Sequence, residues 1–198
     1  MGFAQLALAY SGIAAIILSW VIIVSSILIN PWFNICKGAL SDLGGPRATN
    51  PSLFNFGLVA VSVLVFAFSA AMLLSSLNKV EALGSSFVAV SAMFLALIGV
   101  FHEGTYPHAF VSLWFFTQMD LAVVTWSIGL ILSREFKIGI TLLLMGLAAP
   151  IPAIAVKWPS TAILEVYGIL IIDAATILIT IIVKAREFSL SFPKSGSR

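Results

Sequence analysis

Six apolar runs, each close to the length that crosses a lipid bilayer, constrain the fold of this chain more than any other feature. A transmembrane helix needs about 20 apolar residues to cover the hydrocarbon core. Such runs cover residues 6–29, 53–77, 85–101, 109–133, 138–156 and 161–183. The connection at 30–52 is long and the other four are short, which favours antiparallel neighbours. The sequence therefore predicts an all-α, polytopic membrane protein, an antiparallel bundle of six transmembrane helices.

Composition excludes the main alternatives to a membrane bundle. Hydrophobic residues make up 61% of the chain and charged residues 9%, against about 25% charged in soluble domains. The net charge of +2 is too small to indicate nucleic-acid binding. Cys36 is the sole cysteine, which rules out an intrachain disulfide. The expected partners are membrane lipids and not nucleic acid, and protein partners stay open.

The distribution of lysine and arginine predicts the orientation of the bundle. With a cytoplasmic N-terminus, seven cationic residues fall inside: Lys79, Arg134, Lys137, Lys184, Arg186, Lys194 and Arg198. Three fall outside: Lys37, Arg47 and Lys157. We therefore expect a multi-pass protein of the cell membrane with both termini cytoplasmic. One transmembrane domain should cover 1–185, and a polar cytoplasmic tail should follow at 186–198.

Two prolines interrupt the fifth run, at Pro150 and Pro152. Each removes a backbone donor, and the carbonyls that this frees need other partners inside a membrane. A structural kink is the simpler interpretation. The alternative is a kink that opens a cavity.

Histidines and carboxylates gather where the predicted helices leave the outer face of the membrane. The set comprises Asp42, His102, Glu103, His108 and Glu165, and it holds both histidines of the chain. Imidazole and carboxylate suit a zinc-like divalent cation that polarises water, with His102, Glu103 and His108 as the candidate ligands. Without metal, a carboxylate and a histidine could perform acid–base chemistry. The competing interpretation is that exposed loops contain polar residues in any case.

Asp120 and Asp173 lie within apolar runs. Each is about twelve residues from the outer end of its run, which is roughly 18 Å along a helix. A carboxylate at that depth is unfavourable unless it is protonated, paired or hydrated. Asp173 shares a helical stripe with Glu165, and the two acidic stripes should face each other. Either the aspartates join helices by hydrogen bonds, or they form a path for protons or cations.

Several short motifs resemble one known family. Ala39-Leu40-Ser41-Asp42-Leu43-Gly44 follows the first run, Asn55 begins the second, Gly99-Val100-Phe101 closes the third and His108 opens the fourth. Together they resemble the archaeal and bacterial six-helix membrane family catalogued as domain of unknown function 998, over residues 1 to about 185. The resemblance implies the six-helix fold and highlights Ser41, Asp42 and His108 without naming a reaction. The family usually has a proline and an acid where this chain has His102-Glu103, so the resemblance does not extend to His102.

Three classes of function follow from these residues. The leading hypothesis is an outward-facing site with Asp42, Glu103 and His108 as catalytic core, which binds a cation or activates water on a lipid-type substrate. A second is a proton- or cation-coupled transporter or channel. The residues predicted to line a substrate or ion path are Ser41, Asp120, Glu165 and Asp173. A third is a non-catalytic membrane scaffold or assembly subunit, and the sequence leaves open whether the protein is an enzyme.

Overall fold

The computed structural model describes residues 3–191, with side chains for 5–186, and this part of the chain is almost entirely helical. Its elements are α1 (Phe3–Leu28), a 3₁₀ helix (Leu40–Gly44), α2 (Pro51–Leu74), α3 (Lys79–Val100), α4 (His108–Leu132), α5 (Phe136–Ala148), α6 (Pro150–Ala155) and α7 (Thr161–Ser191). Six helical segments are long and apolar enough to cross a membrane, with α5 and α6 together forming the fifth. The predicted all-α, six-span membrane bundle is confirmed.

The third span begins six residues earlier than the apolar run suggested, at Lys79 instead of 85. Asn78 caps the helix, because its side-chain oxygen accepts hydrogen bonds from the backbone N–H groups of Val80 and Glu81 at 2.9 and 3.0 Å. An amide oxygen at this position satisfies donors that the first helical turn leaves free. The apolar run missed this turn because it contains two charged residues.

The fifth span breaks at Ala149, where α5 ends and Pro150 begins α6. The hydroxyl of Tyr167 on α7 donates to the carbonyl oxygen of Ala149 at 3.0 Å. The indole N–H of Trp158 donates to the carbonyl of Pro152 at the same distance. The break is thus a structural kink that packs against α7, in line with the simpler of the two interpretations of the prolines.

Close helix packing depends on glycine, as two positions illustrate. A side chain at Gly84 of α3 would collide with the backbone of Trp126 on α4, and one at Gly99 would collide with the backbone of Asn55 on α2. Small residues allow this close approach of backbones in membrane bundles. The α2–α3–α4 unit is therefore the most tightly packed part of the bundle.

The long connection between α1 and α2 folds into one end of the bundle. Leu40 and Leu43 of its 3₁₀ helix are 3% and 0% exposed. Asn55 donates to the carbonyl of Gly44 at 2.9 Å, and the N–H of Ala162 donates to the carbonyl of Gly38 at 2.8 Å. We call this end, with the connections 101–107 and 156–160, the loop end. The opposite end, where α1 begins and α7 ends, is the terminal end.

Helix α7 continues to Ser191, past the predicted boundary of the polar tail at 186. Arg186 is 9% exposed and packs inside the terminal end. The tail was expected to begin at this residue because it is charged, but buried partners hold it in the bundle. Residues 192–198 lie outside the described part of the chain.

Candidate functional site

Glu103 and His108 lie in hydrogen-bonding contact at the loop end. Glu103 lies in the α3–α4 connection and His108 begins α4, so the short connection brings them together. His108 Nε2 lies 3.0 Å from Glu103 Oε2, and the side chains are 10% and 40% exposed. This contact places two of the predicted catalytic residues side by side.

The ring of His108 must share a proton with Glu103. Its Nδ1 lies 2.8 Å from the carbonyl oxygen of Phe101. A carbonyl oxygen can only accept, so Nδ1 donates. The other nitrogen then faces a carboxylate oxygen at 3.0 Å, and two acceptors need a hydrogen between them at that distance. The pair is either imidazolium with carboxylate or neutral imidazole with carboxylic acid, and we call it the proton-sharing pair.

Two serine hydroxyls connect this pair to the interior of the bundle. Ser41 Oγ donates to Glu103 Oε2 at 3.3 Å, and Ser112 Oγ lies 3.4 Å from His108 Nε2. Both serines line a cavity inside the bundle. A molecule in the cavity is therefore separated from the shared proton by a single hydroxyl group.

The cavity has a volume of about 120 Å³ and extends from the loop end toward the middle of α7. Its walls are mostly apolar: Ala15, Ile23, Val61, Leu95, Phe115 and Ile172 are among them. Leu40, Ser41 and Ser112 lie at the loop end of the cavity, and Asp173 and Thr176 lie deeper. The 3₁₀ helix thus forms part of the wall at the loop end of a mostly apolar chamber.

Two carboxylates face this cavity, both on α7. Glu165 lies near the loop end, where its Oε2 accepts a hydrogen bond from the backbone N–H of Leu40 at 2.5 Å. Asp173, two helical turns deeper, accepts from the indole N–H of Trp20 on α1 at 2.8 Å. Both were predicted to line a path, and the structure brings them to one chamber.

Asp120 does not share this environment. It is half-buried on α4 and lines neither the main cavity nor a smaller one between α2, α3, α4 and α7. Asp173 bonds to α1, so the expected pairing of two acidic stripes is replaced by a contact between α1 and α7. Asp120 therefore has no visible link to the chamber.

Asp42 and His102 are occupied by local hydrogen bonds. Asp42 Oδ2 accepts from the backbone N–H of Ala39 at 2.9 Å and thereby closes the first turn of the 3₁₀ helix. His102 Nδ1 donates to the carbonyl of Glu103 at 2.9 Å, and no contact in the described structure joins it to His108. Their predicted catalytic and metal-binding roles gain no geometric support.

The described structure gives no geometric support for metal binding. Residues 3–191 contain no group of three or more His, Cys, Asp or Glu side chains arranged to hold a metal ion. Glu103 and His108 alone supply two donors, and catalytic zinc sites use three protein ligands. The arrangement suits proton exchange better than metal coordination.

Sequence reasoning missed a second polar centre, at the terminal end. Arg186 forms a two-pronged ion pair with Glu81, with nitrogen–oxygen distances of 2.6 and 3.0 Å, and its Nε donates to Glu135 at 2.9 Å. Glu81 is fully buried. We call Asn78, Glu81, Ser133, Glu135 and Arg186 the terminal latch.

One part of the latch, the cap of α3, has a recognisable signal in the sequence. Asn78 precedes Glu81 by three residues just before an apolar run, which is the spacing of a helix N-terminal capping box. Asn78 caps the helix, and Glu81 accepts from the backbone N–H of Leu77 at 2.8 Å. The spacing indicates the start of α3, but it does not identify Arg186 as the partner.

Comparison with known proteins gives one match. The family model described as "Protein of unknown function (DUF998)" matches residues 13–182. Neither the curated proteins nor the solved structures yielded a match.

Proposed function

This chain belongs to the family of unknown function DUF998, whose description names no activity, and we propose from the geometry that it binds an amphiphilic, lipid-type molecule. The apolar part of the ligand occupies the cavity, and its polar head lies at the loop end. The observation that carries the proposal is a mostly apolar chamber whose loop end is lined by Ser41, Ser112 and Glu165.

The apolar lining supports an apolar guest. Cavities lined by hydrocarbon side chains stay dry, and one of about 150 Å³ takes up benzene. The chamber here is similar in size, at about 120 Å³. Water would find few hydrogen-bond partners along walls such as Val61, Phe115 and Ile172. A short stretch of hydrocarbon chain is a better occupant.

The polar end supports a head group that exchanges hydrogen bonds. Ser41 and Ser112 offer hydroxyls that already contact the proton-sharing pair of Glu103 and His108. A head group at these serines would have a proton donor and acceptor one hydroxyl away, which is the arrangement that general acid–base chemistry needs. In this proposal, binding comes first and the pair acts on the bound head.

Photoaffinity labelling tests the binding proposal. The probe is a dodecyl alcohol with a diazirine in mid-chain, added to the purified protein in lipid nanodiscs. We expect saturable labelling of cavity residues such as Phe115 and Ile172, mapped by mass spectrometry. Labelling confined to lipid-facing residues such as Leu113, or labelling that does not saturate, would refute the proposal.

Neighbouring alanines on α1 provide a matched pair of variants. Ala15 is 5% exposed and lines the cavity, whereas Ala14 is exposed on the same helix. Ala15→Phe should fill the chamber and abolish the saturable labelling, and Ala14→Phe should leave it unchanged. Thermal unfolding of both variants shows whether they remain folded. If Ala15→Phe unfolds, the smaller Ala15→Leu should still reduce labelling.

A second candidate function is a proton or cation path, because Glu165 and Asp173 line the same cavity. The apolar wall between them is unfavourable for an ion, so we rank this candidate second. Flux into liposomes decides: Asp173→Asn should lower it if a path exists. Asp120→Asn is the matched control, since Asp120 lines neither cavity. Equal flux in all three proteins would exclude the path.

We also propose that the loop end faces outward across the cell membrane, as the lysine and arginine distribution predicts. Cys36, the single cysteine, lies exposed in the loop-end connection. A membrane-impermeant maleimide should label it in intact cells. Lys137→Cys in a Cys36→Ala background moves the thiol to the terminal end and should prevent labelling. The reverse pattern would invert the orientation.

A further inference from the structure

We infer that the amphiphile carries an amine head, and that the cavity discriminates against alcohol and carboxylate heads. This inference rests on the proposed function. It comes from the charges that face the chamber and from the hydrogen-bond acceptors at its loop end.

The ionisable groups that line the cavity are acidic. Glu165 and Asp173 face it, and no lysine or arginine of the described chain lines it. The proton-sharing pair lies behind Ser41 and Ser112, and in either of its two forms it carries no net charge. A carboxylate or phosphate head would find no lysine or arginine among the described lining residues to pair with. An ammonium head can form a charge-assisted hydrogen bond with a carboxylate of the lining, which favours its binding.

The loop end of the chamber offers as many acceptor groups as an ammonium group has donors. Glu165 Oε2 accepts a hydrogen bond from the backbone N–H of Leu40. Glu165 Oε1 accepts none in the described part of the structure. Each serine hydroxyl has two lone pairs in addition to its hydrogen. Glu165, Ser41 and Ser112 line the same end of the chamber. An alcohol supplies one donor to these acceptors, and a carboxylate supplies none.

The position of the tail follows from that of the head. With the nitrogen at Glu165, the hydrocarbon chain extends along Ile169, Ile172 and Phe115. Asp173 lies about 12 Å along α7 from Glu165, at 1.5 Å per residue, where its Oδ2 is bonded to Trp20. The apolar stretch between the two acids therefore sets the length of chain that the chamber accommodates.

Competition against the photoaffinity probe tests the head-group preference. Unlabelled dodecylamine, dodecanol and dodecanoate share one chain and differ only in the head. They are compared at equal mole fraction in the nanodisc bilayer, so that partitioning does not obscure the result. We expect dodecylamine to compete about tenfold better than dodecanol, since a charge-assisted hydrogen bond is stronger than a neutral one. Dodecanoate should compete worst.

Glu165→Gln identifies the residue responsible. Glutamine keeps an oxygen that can accept from Leu40 N–H but removes the charge, so the fold is retained. The amine should then compete no better than the alcohol. Asp120→Asn removes a carboxylate that lines neither cavity and should leave the preference intact.

The outcomes separate this inference from the function on which it rests. Saturable labelling with equal competition by all three amphiphiles would overturn the amine preference and leave the binding proposal standing. An amine preference that persists in Glu165→Gln would overturn the assignment to Glu165. Absence of saturable labelling in the unmodified protein would refute the binding proposal itself.

Discussion

The two polar centres of this bundle, at its two ends, differ in how far their titratable side chains are buried and surrounded by hydrogen-bond partners. At the terminal latch, Glu81 is fully buried and receives hydrogen bonds from Arg186, Ser133, Asn78 and the backbone of Leu77. At the loop end, the Glu103 side chain is 40% exposed, and the serines that touch the proton-sharing pair face a cavity.

The difference teaches which centre can act on a ligand. Removing a charge from water is unfavourable by several kcal/mol unless partners surround it. The latch meets that requirement fully, which leaves its groups no capacity for another molecule. The loop end retains unused acceptors beside an apolar space. Because the hydrogen-bonding groups of the latch are already partnered, we interpret the latch as structural. Because acceptors at the loop end lack partners, we interpret the loop end as a binding site.

Replacing glutamate by glutamine at each end of the bundle tests this comparison. We expect the larger loss of stability at the latch. Glu81→Gln removes the charge that Arg186 pairs with and leaves a buried guanidinium without its main partner. Loss of one member of a buried pair destabilises by about 3–5 kcal/mol. Thermal or denaturant unfolding in detergent, followed by tryptophan fluorescence, measures the change. A loss below about 1 kcal/mol would contradict the structural role.

A double variant separates the charge from the packing. Glu81→Met with Arg186→Met replaces both partners by apolar side chains of similar length, which is often neutral or stabilising. We expect it to recover most of the stability that Glu81→Gln loses. A double variant as unstable as the single one would mean that other contacts of Arg186, such as its bond to the carbonyl of Ser75, dominate.

A smaller effect is expected from the cap of α3. Asn78→Ala removes the acceptor for two backbone N–H groups and the amide that donates to Ser133 and to the carbonyl of Gly129. Loss of an N-cap side chain destabilises by about 0.5–2 kcal/mol. Asn78→Asp keeps the cap oxygen but loses the amide donor, so the same unfolding assay distinguishes the two roles. Equal stability of both variants would contradict a capping contribution.

The sequence predicts the spans because hydrocarbon length and apolar composition are local properties. Its errors occur at the ends of spans, where charges appear. Lys79 and Glu81 were left out of the third helix, and Arg186 was assigned to a polar tail, because a single sequence does not reveal which charges find partners in space. The latch is formed by residues more than a hundred positions apart, such as Glu81 and Arg186.

The candidate site was predictable in part for the same reason. Glu103 and His108 are five residues apart across a short connection, so their contact is nearly local. Asp42 was ranked with them on topology and on the family resemblance, yet its carboxylate closes its own 3₁₀ turn. The cavity could not be predicted, because it depends on the space left between six elements, α1, the 3₁₀ helix, α2, α3, α4 and α7. Of its lining, the sequence indicated Ser41, Glu165 and Asp173 as path residues, the last two as a helical stripe.

The smallest effect on stability is expected at the loop end, and it tests the contrast with the latch. Glu103→Gln makes the same change as Glu81→Gln, but at a side chain that water already reaches. Exposed ion pairs contribute about 0–1 kcal/mol, so the unfolding free energy should change by less than that. Glutamine cannot share a proton with His108, so the polar surroundings of the probe's head group should change. The apolar chamber that holds the chain should remain intact. We expect saturable labelling to persist with altered affinity. A destabilisation as large as that of Glu81→Gln would mean that the loop end, too, is a structural ion pair, and the contrast between the two ends would fail.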